Sequence, residues 1–172
     1  MLRFQITKPF STVISKSVSA MTVFDKSCYR KVDFKINENS SAKDAVVRFT
    51  AFNVGCLAVT DGNNCVVGVC SERDYINKVA ALDKNANEVK VRDICTYGPK
   101  IITASKNDTL DDCMSKMMFK DIRHLLIMNE KNECVGMLSI KDLIKEILKD
   151  KRDTITRLSD FNVGKGGFFG SE

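Results

Sequence analysis

Apolar positions recur along this chain at two spacings, and the spacings alternate. Ala42, Ala45, Val46, Phe49 and Phe52 fall at three- and four-residue intervals, which places them on one face of a helix. Leu110, Cys113, Met114, Met117 and Met118 do the same over residues 109–120. Each helix is followed by two short apolar runs, CLAVT and VVGVC in the first set, HLLIM and CVGML in the second. The runs are joined by DGNN and NEKN, turn-forming sequences that predict two strand hairpins. A second helix closes each set, over SERDYINKVAAL and SIKDLIKEILK. Short extended pieces, Phe34–Ile36 and Ile101–Thr103, precede the first helices, and KVRDIC reads as a helical connector that Pro99 ends.

The order β-α-β-β-α thus appears twice, and the two copies align without a gap. A shift of 68 positions brings residues 34–77 over 102–145. Asn39 falls on Asn107, Asp44 on Asp112, Leu57 on Leu125 and Asn64 on Asn132. Val67, Gly68, Ser71, Asp74 and Ile76 fall on Val135, Gly136, Ser139, Asp142 and Ile144. An offset that preserves helix faces and turns together marks an internal duplication. One such unit cannot bury both faces of so small a sheet, so the expected fold is α+β, two β-α-β-β-α repeats packed with pseudo-two-fold symmetry. The expected boundaries are 29–90 for the first repeat and 91–150 for the second. Residues 151–172 are read as a terminal helix (DTITRLSDF) and a flexible Gly-rich tail.

Composition narrows the function more than the fold. The formal charge is +5 and spread along the chain, without the basic cluster that a nucleic-acid reading needs. No apolar run approaches the ~20 residues that span a bilayer. Seven cysteines form no Cys-x-x-Cys pair, and His124 is the single histidine. The thiols read as reduced core filler, and the methionine stripe as packing. No cysteine stands in a catalytic context, and no Walker-type Gly-x-x-x-x-Gly-Lys occurs, so the chain is read as non-catalytic. Residues 1–24 contain Arg3, Lys8 and Lys16, many Ser and Thr, and no acid before Asp25. That is the makeup of a mitochondrial transit peptide; the alternative is an N-terminal arm. On either reading the segment is placed outside the fold. The location expected is the mitochondrial matrix, with the cytoplasm as second choice.

The motif shared by both copies is Gly, two apolar residues, Ser, two variable residues, Asp, at 68–74 and 136–142. At a strand-to-helix junction Ser-x-x-Asp is a helix cap, with Asp74 and Asp142 at the positive end. The same geometry sets a carboxylate at the end of a strand beside a symmetry-related copy, where it could take the hydroxyls of a ribose. Both readings stand on the residues alone.

The duplicated unit ending in this motif resembles a tandem pair of cystathionine-β-synthase (CBS) domains, a Bateman module. VGVCSERDYINKVA, KVRDI, DIRHLLIM and VGMLSIKDLIKEIL are similar to small stand-alone members of that family from bacteria and plant organelles. The resemblance implies binding of an adenine nucleotide (AMP, ADP or ATP, with NAD or S-adenosylmethionine as variants) in clefts between the repeats. It also implies flat homodimers and a regulatory role, sensing energy or redox state through a partner protein. The alternative is an accessory subunit of a mitochondrial complex with a vestigial nucleotide site. Carried over, Asp74 and Asp142 would grip ribose hydroxyls, and Ser71 and Ser139 the ribose or α-phosphate. Arg123 and His124 would meet phosphate, with Arg73 and Lys141 as substitutes. The site of Arg123, His124, Ser139 and Asp142 is expected to dominate, because the first copy has the uncharged Gly55-Cys56 at the place of the basic pair.

Overall fold

The computed structural model describes residues 18–162, with the side chains of Phe161 and Asn162 left out. The first repeat holds β1 (Lys35–Asn37), α2 (Ala42–Phe52), β2 (Cys56–Thr60), β3 (Val66–Ser71) and α3 (Glu72–Lys78). The second holds β5 (Thr103–Ser105), α5 (Leu110–Phe119), β6 (His124–Met128), β7 (Cys134–Ser139) and α6 (Ile140–Asn162). Three elements precede or join them: α1 (Ala20–Phe24), α4 (Val91–Ile94) and β4 (Thr96–Tyr97). The strands form two sheets, ordered β1-β2-β3-β4 and β5-β6-β7. In each, the first strand runs parallel to the second and the hairpin antiparallel.

The duplication reaches the local chemistry. Both hairpins shift register at the same step, between Val59 and Thr60 and between Ile127 and Met128. Both turns place an asparagine, Asn64 or Asn132, at φ 62°, a left-handed conformation that Asn tolerates. Ser41 with Asp44, and Thr109 with Asp112, form capping boxes on α2 and α5. The middle strands are buried along their length: all of β2, and Leu125 to Ile127 of β6. That is what continuous apolar runs predict for strands covered on both faces. One hydrophobic cluster spans both repeats. Cys56, Cys70 and Cys113 are buried free thiols within it, and burial pushes Cys70 up to about 12 and Cys113 up to about 11.

Three expectations need correction. The segment 1–24 is not outside the fold over its last seven residues. Ala20, Val23 and Phe24 are buried, and the Ala20 and Met21 N–H groups donate to the carbonyls of Asp108 and Lys106 at 2.8 and 3.2 Å. Val91 and Arg92 of α4 make the same pair of bonds to Ser40 and Glu38 at 2.9 and 3.0 Å. So α1 serves the second repeat as α4 serves the first. Basic, acid-poor composition said nothing of this, because the apolar spacing of Ala20, Val23 and Phe24 is only one turn long. Residues 1–17 lie outside the described residues, as does the Gly-rich end of the tail.

The second correction is that α6 is a single helix of 23 residues: the helices expected separately over SIKDLIKEILK and DTITRLSDF are one, since Lys149–Arg152 contains no Gly or Pro to break it. Third, the helix expected over 71–82 ends at Lys78 and continues as a 3-10 turn, Ala80–Leu82.

Candidate functional site

Two clefts lie where the repeats meet. The meeting point is tight at Gly55, where an added Cβ would lie 3.3 Å from both Glu72 Oε2 and His124 Cε1. Gly55 therefore leaves the room that His124, from the other repeat, occupies. The sequence alignment pairs Gly55-Cys56 with Arg123-His124, and the fold brings these equivalent pairs face to face across the pseudo-two-fold.

The first cleft takes Ser71, Arg73 and Asp74 from one repeat and Arg123 and His124 from the other. Its apolar wall is Val69, Ile101, Ile102 and Ile122, with Cys56 and Thr96 beside them and Lys100 and Asp121 at its rim. The Ser71 N–H and Oγ–H both donate to Asp74 Oδ2, at 2.9 and 2.6 Å, and the Asp74 N–H donates back to Ser71 Oγ at 3.3 Å. The other carboxylate oxygen, Oδ1, accepts from Lys78 Nζ at 2.8 Å. Lys78 also donates to the Ile94 carbonyl, which ties the connector to the cleft. The Asp74 side chain remains partly open, at 18% exposure. Of the cations, Arg73 faces Asp121 at 3.7 Å in an exposed pair of little strength. Arg123 and Lys100 have no carboxylate partner among the described residues.

The second cleft holds Ser139, Lys141 and Asp142 with Arg123 and His124 again, and adds Glu72, Lys145, Cys28 and Tyr29. Here the carboxylate is closed in. Asp142 is 7% exposed, and its Oδ2 accepts from Ser139 N–H at 3.0 Å, Ser139 Oγ at 2.6 Å and Ser27 Oγ at 3.0 Å. Tyr29 is buried, edge-on to His124 with ring centroids 6.0 Å apart.

All eight residues singled out from the sequence therefore line one or both clefts, with Arg123 and His124 common to the two. The capping reading of Ser-x-x-Asp is realised in both copies, and in the first it leaves Asp74 facing the cleft. His124 is corrected as a cation. Burial, then the nearby Arg123 charge, lower its pKa to about 4, against a smaller upward pull from Asp142, so near neutral pH the ring is uncharged. Sequence reasoning missed Lys100, Ile101 and Ile102, which lay in a stretch read only as connector and strand. It also missed Ser27 and Tyr29; no local pattern marked them.

Comparison with known proteins gives the same architecture. The CBS domain profile matches residues 29–81 and 91–149. A mitochondrial CBS domain-containing protein of Arabidopsis thaliana, CBSX3, is 31% identical over 123 residues, 70% of this chain and 59% of the relative. The chain thus spans somewhat over half of that protein's length. A CBS-domain protein from Burkholderia ambifaria superposes with a TM-score of 0.70 at 25% identity, covering 77% of this chain and 95% of that one. A CBS domain protein from Pyrobaculum aerophilum, solved as a complex with AMP, superposes with a TM-score of 0.57 at 27% identity, over 63% of this chain and 80% of its own.

Proposed function

The chain belongs to the CBS domain family, and on that premise we propose that it is a non-catalytic regulatory protein that binds an adenine nucleotide in the first cleft. One observation carries the reading: the Asp74 carboxylate shares a cleft and its apolar wall with Arg123 and Lys100, neither of which has a carboxylate partner among the described residues. An adenine base suits Ile101, Ile102 and Ile122, the ribose hydroxyls suit the Asp74 carboxylate, and phosphate suits Arg123 with Lys100 and Arg73. Ser71 lies within reach of the same ribose. The AMP complex of the Pyrobaculum protein supports this ligand class. The reading favours the first cleft over the second, where the sequence had placed the stronger site, because Asp142 is buried whereas Asp74 is only partly so.

Regulation acts through contact with a partner. The distal half of α6, residues 151–160, is exposed throughout, with Ile155 at 66% and Leu158 at 62%, which supports a docking role for that stripe. The first turn of the same helix carries Asp142 of the second cleft. Met118 and Phe119, also exposed, support self-association as homodimers. The mitochondrial matrix is the proposed location, supported by the acid-poor first residues and the mitochondrial relative.

Calorimetric titration of the full chain with AMP, ADP, ATP, NAD and S-adenosylmethionine tests the proposal. Saturable binding of an adenine nucleotide is the expected result, and no heat with any of the five overturns it. The exposed α6 stripe also favours a second reading, an accessory subunit of a mitochondrial complex. It gains if the five ligands fail while Ile155→Ser and Leu158→Ser release the chain from a large assembly.

A further inference from the structure

Between the swapped helix and the first strand, the two repeats differ in length. The hydrogen bonds of α1 and α4 pair Ala20 with Val91 and Met21 with Arg92, an offset that sets Phe24 on Cys95, while the strands pair Lys35 with Thr103. The segment from Phe24 to Phe34 is therefore three residues longer than its counterpart from Cys95 to Ile102. Both segments contain a 3-10 turn, Cys28–Lys31 and Gly98–Lys100; the one in the longer segment is capped by Ser27, whose Oγ accepts from the Tyr29 N–H at 3.2 Å.

That turn reaches the second cleft and is held there. Ser27 donates to Asp142 at 3.0 Å, and both residues are buried. Lys26 pairs with Glu146 one turn further along α6, at 2.5 Å. Tyr29 fills the wall beside His124; its buried hydroxyl lies against the backbone of Gly55 and Cys56, with no hydrogen bond of ordinary geometry among the described residues. A hydroxyl donating to the motif carboxylate is the contact a ribose would make. In the first cleft no serine outside the motif plays this part among the described residues; there Lys78 donates to Asp74 Oδ1, whereas all three donors to Asp142 meet its Oδ2.

We propose that the Lys26–Tyr29 turn is a built-in occupant of the second cleft. Ser27 takes on Asp142 the place of a ribose hydroxyl, and each chain accordingly takes one adenine ribonucleotide rather than two. Ser27 and Tyr29 are thus the residues that decide which of two pseudo-symmetric clefts accepts the ligand. This rests on the nucleotide reading of the first cleft, and the turn weakens second-cleft affinity by the cost of displacing it, about tenfold to a hundredfold.

The test is AMP stoichiometry by calorimetry on the full chain in four forms: unaltered, Ser27→Ala, Asp74→Asn, and the double variant. The expected numbers per chain are one, two, none and one. Tyr29→Ala, with its fold checked by circular dichroism, should also bind two. Two sites in the unaltered chain, or no added site with Ser27→Ala, overturn the inference. An unaltered chain that binds nothing defeats the first-cleft reading separately. In that case binding by the double variant still sustains the turn as occupant, and its failure overturns it.

Discussion

Replacing Asp74 by Asn removes the charge on which ribose recognition depends while keeping the size of the side chain. Two adjacent ribose hydroxyls donating to a carboxylate contribute about 1.5–3 kcal/mol each. An amide retains one acceptor oxygen and a neutral bond of about 0.5–1.5 kcal/mol. The net loss is about 2–4 kcal/mol, roughly 30- to 1000-fold in AMP affinity. Folding should suffer less. The amide oxygen can still accept from the Ser71 N–H, now at 2.9 Å. The Lys78 partner is 43% exposed, so its loss costs about 0.5 kcal/mol after screening by solvent. Asp142→Asn should give the opposite pattern. Its carboxylate is buried with three donors, so stability falls by about 1–3 kcal/mol with AMP affinity unchanged. Titration calorimetry and urea denaturation of the two variants read both quantities. Asp74→Asn binding within threefold of the unaltered chain, with Asp142→Asn losing affinity, would refute the assignment of the clefts.

Other outcomes follow from packing and from charge. A chain beginning at Lys26 loses Val23 and Phe24 from the core, about 3–6 kcal/mol together, and should unfold at lower urea than the full chain or aggregate. Gly68→Ala and Gly136→Ala should each cost about 1–3 kcal/mol. The new Cβ would lie 2.8 Å from the Thr96 carbonyl in the first and 3.0 Å from the Phe24 ring in the second; Gly68→Ala should cost more, because a paired strand moves less readily than a ring. His124 has a folded pKa of about 4, below its ordinary value of about 6.5, so between these pH values the unfolded chain binds the extra proton and stability falls as pH falls. Denaturation midpoints at pH 6.5 and 5 should show a loss of about 1–2 kcal/mol that His124→Asn abolishes; an unchanged slope in that variant would place the effect elsewhere.

Much of this fold was legible because each signal was local and occurred twice. The helix stripes at Ala42–Phe52 and Leu110–Met118, the hairpin turns and the Ser-x-x-Asp caps were all readable from spacing, and the structure places them as expected. The exchange of α1 and α4 between repeats was not legible. Each is a single turn, and its place is set by backbone bonds to a distant segment rather than by its own pattern. The site residues were readable as a set because they share one motif and its counterpart. Their division between the clefts was not, since Arg123 and His124 sit at the seam and face both. The proposed order of the two clefts differs from the expected one, which weighed only the charge beside each motif; Ser27, which bonds Asp142, lies 115 residues from it in sequence.

The most direct measurement is a crystal structure of the full chain grown with AMP. The account predicts one nucleotide per chain in the first cleft, its ribose hydroxyls on Asp74, its phosphate on Arg123 and Lys100, and Ser27 still on Asp142. A nucleotide seated on Asp142 with the first cleft empty, or bound away from the seam between the repeats, would contradict it.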